Sequence, residues 1–294
     1  MWRSTCRHCR CRATSTSRRR VRTSLPPPRS HSLFWRWASA RSRLRTFAAR
    51  ARRRAHARPL SPPAAQQAPT VTPYAHTVHP YTAILLDLDG TVTDSAPGIT
   101  DTLAYTFEAL GRPVPPHDEL LKYVGPPILD SFRDRAGMTL AERERALEVY
   151  RERYLDRGAY DATLYPGMGE LVRDIAAAGI PLSLATSKPE LPATLMLEHF
   201  TIAQHFDIIT GASADEVRSA KADVVAEALV RLRAMDADLT RPVMIGDRVH
   251  DVEGAAAHGI PTIAVSWGYG EPAEFAHARA VAHDVHELRA LLGV

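Results

Sequence analysis

The stretch TAILLDLDGTVTD at residues 82–94 starts as an apolar run and contains two aspartates one residue apart, Asp87 and Asp89. The run AILLD (83–87) predicts a buried strand, because a strand covered on both faces needs nearly continuous apolar character. Residues two apart on an extended strand point the same way, so both carboxylates are expected to face one small volume. Two nearby carboxylates repel each other, and a hard divalent cation with oxygen ligands would relieve that repulsion.

Four further apolar runs predict strands of the same sheet. They are PLSLA (181–185), FDIIT (206–210), PVMIG (242–246) and PTIAV (261–265). Between them lie helical patterns with apolar residues three and four apart, such as Val225, Leu229 and Leu232. This alternation predicts an α/β fold with a doubly wound, Rossmann-like parallel sheet.

One interval departs from the alternation of strands and helices. Between Asp94 and about Tyr165 only helical patterns occur, one of them opened by a capping box from Thr139 to Glu142. We therefore predict an α-helical cap at residues 96–163, inserted into an α/β core formed by residues 81–95 and 164–294. A cap placed there would lie above the carboxyl ends of the strands, where such sheets bind ligands.

Two other predicted strand ends carry residues suited to a phosphate and metal site. Asp247 follows PVMIG, and Asp251 lies one helical turn further on the same face, although capping of a helix would also explain this pair. Thr186 and Ser187 follow PLSLA, where Ser187 and Glu190 predict a capping box, and a hydroxyl beside free helix amides is an anion site. Lys221 begins a helix, and an ordinary solvated lysine is the alternative there.

Together these pieces resemble the four motifs of the haloacid dehalogenase superfamily. The first motif, DxDGT, corresponds to Asp87, Asp89, Gly90 and Thr91. The resemblance covers residues 81–294, and the helical insertion is similar to the type 1 cap of that superfamily. The strings YVGPPILDSF, LYPGMGELV, GDRVHDVEGA and VSWGYGEP resemble the branch of phosphoglycolate phosphatases and 5′-nucleotidases.

The resemblance implies a role for each matched residue. Asp87 would be the nucleophile that forms an aspartyl phosphate, and Asp89 the general acid and base. Mg²⁺ would be held by Asp87, the Asp89 backbone carbonyl and Asp247, with Asp251 as a ligand through water or a support. The expected phosphate-binding residues are Thr91, Thr186, Ser187 and Lys221. An acid at Asp89 favours phosphoryl transfer over dehalogenation.

The substrate class is expected to depend on the cap. Its candidate specificity residues are Lys122, Tyr123, the loop from Gly125 to Pro127, and Arg133, with a plain helix connector as the alternative. We predict a phosphatase acting on a small phosphorylated metabolite, either a nucleoside 5′-monophosphate or 2-phosphoglycolate. A sugar phosphomutase of the same superfamily, or a non-catalytic binding protein with a basic arm, are the alternatives.

The first part of the chain differs sharply in charge from the rest. Residues 1–86 contain 18 arginines and no lysine or acidic residue, so all 33 acidic residues fall from Asp87 onward. Residues 1–80 are expected to form a disordered basic extension. A mis-set start, an organellar leader and a nucleic-acid-contacting arm all remain open, and Met1 is followed by no methionine before Met138.

Composition limits the compartment and the partners. All three cysteines lie in CRHCRC (6–11), so the folded part needs no oxidising compartment, and a zinc site there lacks a second ligand pair. No apolar run approaches the roughly 18 residues of a membrane-spanning helix. We expect a cytoplasmic enzyme, or an organellar one if the leader is genuine, with no membrane partner and no nucleic-acid partner. The sequence leaves the oligomeric state open.

Overall fold

The computed structural model describes residues 79–294. The predicted basic extension, apart from its last two residues, lies outside the described residues. The prediction for the CRHCRC cluster therefore also falls outside them.

The described residues contain a parallel six-stranded sheet and a small antiparallel pair. The sheet has the strand order β5-β4-β1-β6-β7-β8, and β2 pairs with β3. The strands are β1 (Ala83–Leu86), β2 (Thr93–Asp94), β3 (Thr163–Leu164), β4 (Leu182–Pro189), β5 (Ile208–Ala212), β6 (Pro242–Gly246), β7 (Thr262–Val265) and β8 (Ala280–Ala282).

Helices connect these strands and make up the insertion between β2 and β3. The insertion contains α1 (Ala96–Ala109), α2 (His117–Leu121), α3 (Ile128–Asp134) and α4 (Leu140–Asp156). The remaining helices are α5 (Met168–Ala177), α6 (Glu190–His199), α7 (Lys221–Arg233), α8 (Val249–Ala256) and α9 (Val285–Leu292). The predicted α/β fold with a doubly wound parallel sheet and inserted helices is thereby confirmed.

Both faces of the sheet are covered, as the unbroken apolar strands require. On β1, Ile84 and Leu86 pack on one face with residues of α5, α6 and α9. Leu85 points to the opposite face and packs with residues of α7 and α8, including Val225. These three side chains of β1 are fully buried, so the strand that leads to the aspartates is packed on both faces.

The helical insertion has an apolar core of its own. Phe132 is fully buried in it, and its ring lies against the rings of Tyr123 and Tyr150, with centroids 6.4 Å away in each case. The capping box that begins α4 is present as predicted, since Thr139 and Glu142 exchange side-chain and backbone hydrogen bonds. Among residues 79–294, no helix combines the length and the apolar character needed to cross a membrane.

Three predicted features of the secondary structure differ from the observed ones. No strand was predicted between Asp94 and Tyr165, but Thr163–Leu164 pairs with Thr93–Asp94 where the chain leaves and re-enters the α/β core. The third predicted strand (206–210) begins at Ile208 instead, and β8 was not predicted. Two- and three-residue strands contain too few residues for a period of two to be visible, so pairing decides them.

The packing of the cap predicts the effect of removing its largest fully buried side chain. Phe132→Ala should destabilise the protein by about 3–5 kcal/mol, because a buried aromatic side chain is lost and a cavity remains. Leu140→Ala, at an exposed position of the same insertion, should change stability by less than about 0.5 kcal/mol. Urea unfolding monitored by tyrosine fluorescence and circular dichroism measures both, and equal effects would contradict the packing described.

Candidate active site

The ends of three neighbouring strands bring the site together. Strand β1 lies between β4 and β6, with Leu86 paired to Leu184 on one side and to Ile245 on the other. The carboxyl ends of parallel strands lie at one edge of a sheet, so residues just past these pairs must be neighbours. Asp87 therefore lies between the segments that carry Thr186 and Asp247.

Three buried carboxylates and one lysine form the centre of the site. Asp87, Asp247 and Asp251 each place a carboxylate oxygen within 4.8 Å of the others. The Nζ atom of Lys221 lies 2.8 Å from Asp87 Oδ1 and 2.7 Å from Asp251 Oδ1, and it also donates to the Ala185 carbonyl at 3.1 Å. Lys221, predicted to bind phosphate, thus bridges two of the carboxylates.

Burial and repulsion from neighbouring carboxylates disfavour the charged forms of Asp87 and Asp247. Burial raises the pKa of Asp247 well above its ordinary value, and the carboxylates of Asp251 and Asp87 raise it further. Burial and Asp251 likewise raise the pKa of Asp87, against the opposing effect of Lys221. The single positive charge of Lys221 therefore does not balance the negative charge that three ionised carboxylates would carry.

The donor set fits a hard divalent cation. Three buried carboxylates provide the oxygen ligands that Mg²⁺ and Ca²⁺ prefer, and a second positive charge would offset the repulsion between them. Asp87 Oδ1 and Asp251 Oδ1 are buried, contact Lys221 and accept no hydrogen bond of good geometry. Asp89, predicted as a ligand through its backbone carbonyl, directs its carboxylate away from this group toward other partners.

Asp247 is held by hydrogen bonds and by closely packed glycines. Its Oδ1 accepts from the Thr91 hydroxyl at 3.1 Å, and its Oδ2 accepts from the Tyr269 amide at 2.8 Å. A Cβ on Gly90, whose φ is +83°, would lie 2.2 Å from Asp247 Oδ2, and one on Gly268 would lie 2.4 Å from it. The glycine of the DGT sequence is therefore required by close approach as well as by its backbone conformation.

The second aspartate of the pair has its own set of partners. Asp89 Oδ1 accepts a 2.5 Å hydrogen bond from the Ser95 hydroxyl, and Asp89 Oδ2 lies 2.8 Å from Lys188 Nζ. Both charged side chains are at least nine-tenths buried. Two carboxylates that are two residues apart in the sequence thus have separate surroundings, one beside Lys221 and the other beside Lys188.

Comparison with known proteins identifies the family of the chain. The family model described as haloacid dehalogenase-like hydrolase matches residues 84–265. The chain belongs to the haloacid dehalogenase-like hydrolase family. The predicted superfamily membership is confirmed.

Several members of this family are similar over most of the described part of the chain. The tyrosine-protein kinase PtkA of Mycobacterium tuberculosis is 45% identical over 217 residues, which are 72% of each chain. A 5′-nucleotidase of Pseudomonas aeruginosa is 35% identical over 72% of this chain and 94% of its own. A phosphoglycolate phosphatase of Caulobacter vibrioides is 35% identical over 68% of this chain and 86% of its own.

A solved structure gives the same result for the fold. The crystal structure of a predicted phosphatase from Clostridium acetobutylicum has a TM-score of 0.68 and 34% sequence identity, and the match covers 73% of this chain and 99% of that one. We predicted a hydrolase related to phosphoglycolate phosphatases and 5′-nucleotidases. Relatives with both names confirm this prediction.

One prediction for this haloacid dehalogenase-like site needs correction. Ser187 does not open a helix with Glu190, because β4 continues to Pro189, α6 begins at Glu190, and Pro189 has no side chain able to cap it. The Glu190 carboxylate instead pairs with Arg218 and Arg231. Thr91, predicted to bind phosphate, donates its hydroxyl to Asp247, and its role in phosphate binding stays a prediction.

The predicted cap residues have unlike positions. Lys122 pairs with Glu119, and Arg133 with Asp130 and Asp134, in half-exposed ion pairs within their own segments. Tyr123 is buried in the core of the cap, where its ring packs edge-on against Phe107. Gly125 is placed against the α/β core, since a Cβ on it would lie 3.4 Å from the Arg248 side chain. The cap predictions for Lys122 and Arg133 receive no support from these contacts.

Residues that the sequence patterns did not single out complete the family site. Lys188 contacts Asp89, and Arg248 donates to the Val124 carbonyl of the cap at 2.8 Å. Tyr269 donates from its hydroxyl to Asp94 and accepts from the amides of Ser95 and Ala96, where α1 begins. The string VSWGYGEP belongs to the family resemblance, but its spacing does not indicate that Tyr269 contacts the start of α1.

Asp247 provides a test of the metal site. Its pKa is raised in the folded protein, mainly by burial, so without metal this residue destabilises the fold increasingly as pH rises above about 4. Asp247→Asn should therefore raise the free energy of unfolding of the metal-free protein at neutral pH, since the amide can keep both hydrogen bonds if Thr91 accepts. The same variant should lose stabilisation by Mg²⁺.

Thermal unfolding with EDTA and with excess Mg²⁺ measures both effects. The wild-type melting temperature should rise with Mg²⁺. Glu253→Gln, an exposed change on α8, should behave as wild type. An Asp247→Asn protein that is still stabilised by Mg²⁺ would show that the cation binds elsewhere.

Tyr269 provides a test of the junction between the core and the cap. Tyr269→Phe leaves the Ser95 amide without its hydroxyl acceptor and the Ala96 amide with only the Asp94 carboxylate at 3.3 Å, which should cost about 1–3 kcal/mol. Hydrogen exchange of these two amides should accelerate. Tyr160→Phe, at an exposed position of the insertion, should leave both stability and exchange at residues 95–96 unchanged.

Proposed function

We propose that the chain is a phosphatase that hydrolyses a small phosphate monoester, with Asp87 as nucleophile and Asp89 as general acid and base. The observation that carries this proposal is the separation of two neighbouring carboxylates into different surroundings. Asp87 lies in the carboxylate group with Lys221, while Asp89 lies outside it beside Ser95 and Lys188. A nucleophile and a proton carrier need such different environments.

The reaction needs two displacements at phosphorus. An Asp87 carboxylate oxygen attacks the phosphorus atom, the bond from phosphorus to the leaving oxygen breaks, and Asp89 gives that oxygen a proton. A water molecule then attacks the phosphorus of the aspartyl phosphate, Asp89 takes a proton from this water, and the bond to Asp87 breaks. Inorganic phosphate leaves, and both aspartates return to their starting states.

The surrounding residues supply charge for the phosphoryl group. We propose that Mg²⁺ is held by Asp87, the Asp89 backbone carbonyl and Asp247, with Asp251 supporting, and that it neutralises phosphoryl oxygens when bound. Lys221 contributes a buried positive charge beside the nucleophile. Thr186 and Ser187, at the end of β4, are the proposed hydrogen-bond donors to phosphoryl oxygens.

Two substrate classes are supported by relatives of similar identity. The relatives named 5′-nucleotidase and phosphoglycolate phosphatase are both 35% identical to this chain. We therefore keep a nucleoside 5′-monophosphate and 2-phosphoglycolate as the two leading substrates. For either, the phosphoryl group occupies the same site and the leaving group lies toward the cap.

A second candidate function is phosphoryl transfer to tyrosine. It is favoured by the 45% identity to proteins named tyrosine-protein kinase PtkA. The same nucleophile would serve, with a nucleotide as phosphoryl donor and a tyrosine hydroxyl in place of the attacking water.

A substrate panel tests these functions in one experiment. The full-length protein with Mg²⁺ should release phosphate from one or more of 2-phosphoglycolate, the nucleoside 5′-monophosphates, sugar phosphates and a phosphotyrosine peptide. Asp87→Asn should reduce release to background, and Asp89→Asn should lower kcat by about 10²- to 10⁴-fold. Phosphate transferred from ATP to a tyrosine peptide in an Asp87-dependent reaction would favour the second candidate. The absence of phosphate release from every compound of the panel, together with no transfer from ATP to the peptide, would contradict both candidate functions.

A further inference from the structure

Lys188 links the proposed general acid to the cap. Its Nζ lies 2.8 Å from Asp89 Oδ2 and donates to the Tyr154 hydroxyl at 2.7 Å. Tyr154 belongs to α4 of the insertion, and Lys188 ends a strand of the α/β core. One ammonium group therefore contacts a proposed reacting side chain and a cap residue at the same time.

The surroundings of this ammonium group are buried and preorganised. The Tyr154 side chain is nine-tenths buried, its ring centroid lies 4.7 Å from Lys188 Nζ, and the ring stacks on Tyr150 at 5.5 Å. A cation over an aromatic face gains electrostatic stabilisation, which is larger when water is excluded. The side chains of Lys188 and Asp89 are both buried, so the ammonium group and the carboxyl group contact each other away from bulk water.

The backbone at Lys188 is shaped to direct its side chain into the site. The pairing of β4 with β5 is regular up to Ala185 and resumes at Pro189 with a shifted register, so Lys188 lies in the irregular part. Such irregularities re-aim side chains. The Lys188 amide donates to the Thr186 hydroxyl at 3.3 Å, and a Cβ on Gly211 would lie 2.4 Å from the Lys188 carbonyl oxygen.

We propose that Lys188 is a positioning residue that sets the orientation of Asp89 and, through Tyr154, makes that orientation depend on the docking of the cap. This inference rests on the proposed role of Asp89 in phosphate ester hydrolysis. With the cap docked, Tyr154 holds the ammonium group and the ammonium group holds Asp89 Oδ2, while Ser95 holds Asp89 Oδ1. With the cap displaced, Lys188 loses its cap partner, and Asp89 loses its fixed orientation.

A second link between the cap and the core offers a matched control. Arg151, one turn before Tyr154 on α4, lies 2.5 Å from the buried Glu216 carboxylate and donates to the Ala214 carbonyl at 3.1 Å. This link joins the same helix to the core without contacting Asp89. Glu216→Gln removes the charge of this link but keeps the Ala214 hydrogen bond and an oxygen acceptor for Arg151, so the cap stays docked and the partners of Asp89 stay in place.

Steady-state kinetics of four variants test the proposal. Lys188→Met should lower kcat by about tenfold or more, a part of the 10²- to 10⁴-fold contribution of a general acid and base. Tyr154→Phe should lower kcat less, and Lys188→Arg should recover part of the loss because it keeps the charge. Glu216→Gln should raise KM and leave kcat within about twofold of wild type.

The choice of leaving group separates positioning from a merely structural role. Nitrophenolate is a good leaving group, so the first step with p-nitrophenyl phosphate needs little protonation of the leaving oxygen. Lys188→Met should therefore lower the burst rate with this substrate less than it lowers the single-turnover rate with an alkyl phosphate. Equal losses for both substrates, or the same kcat and KM changes in Lys188→Met and Glu216→Gln, would overturn the proposal. If Lys188→Met does not fold, as judged by thermal unfolding, Tyr154→Phe gives the same comparison.

Hydrogen exchange measures the link without any turnover. Tyr154→Phe and Lys188→Met should accelerate exchange both in the last turn of α4 and at residues 89–95. Glu216→Gln should accelerate it only in α4. If the protein cleaves no phosphate ester but shows this exchange pattern, the proposed function is contradicted and the link from Tyr154 through Lys188 to Asp89 stands. Unchanged exchange at residues 89–95 would overturn the link itself.

Discussion

Three buried carboxylates that share one ammonium group form the constraint on which the rest of the described structure depends. Asp87, Asp247 and Asp251 repel one another, and Lys221 compensates only part of their charge. Such a group persists only if the fold holds it on several sides, because separation of the carboxylates would otherwise relieve the repulsion. Strands covered on both faces, glycines packed against Asp247 and the Tyr269 amide provide that support.

The same loops that hold the carboxylates also hold the cap. The backbone amide of Tyr269 binds Asp247, while its hydroxyl occupies the start of α1, where Ser95 makes no side-chain cap. Lys188 plays a comparable part on the opposite side of β1, between Asp89 and Tyr154. The cap is thus attached to the core through residues that also contact aspartates of the site, Asp247 in one case and Asp89 in the other.

Much of the fold could be predicted because its signals are local. Apolar strands such as 242–246 and the Thr139 to Glu142 capping box each depend on residues near one another in the chain. The two-residue strands and the start of α6 could not be predicted in this way. Ser187 and Glu190 have the spacing of a capping box, but pairing of β4 with β5 extends the strand to Pro189 and competes with the helix.

The sequence by itself determined the chemistry of the site: paired aspartates after an apolar strand, further aspartates after another, and a helical insertion directly after the first pair. Each of these is a statement about residue type and spacing. Only the tertiary structure decided which of these side chains meet and which others join them. Lys188 and Tyr154 are 34 residues apart, and Ser95 and Tyr269 are 174 residues apart, so no local pattern records their contacts. Those contacts arise because parallel strands bring their carboxyl ends to one edge and the insertion folds back over it.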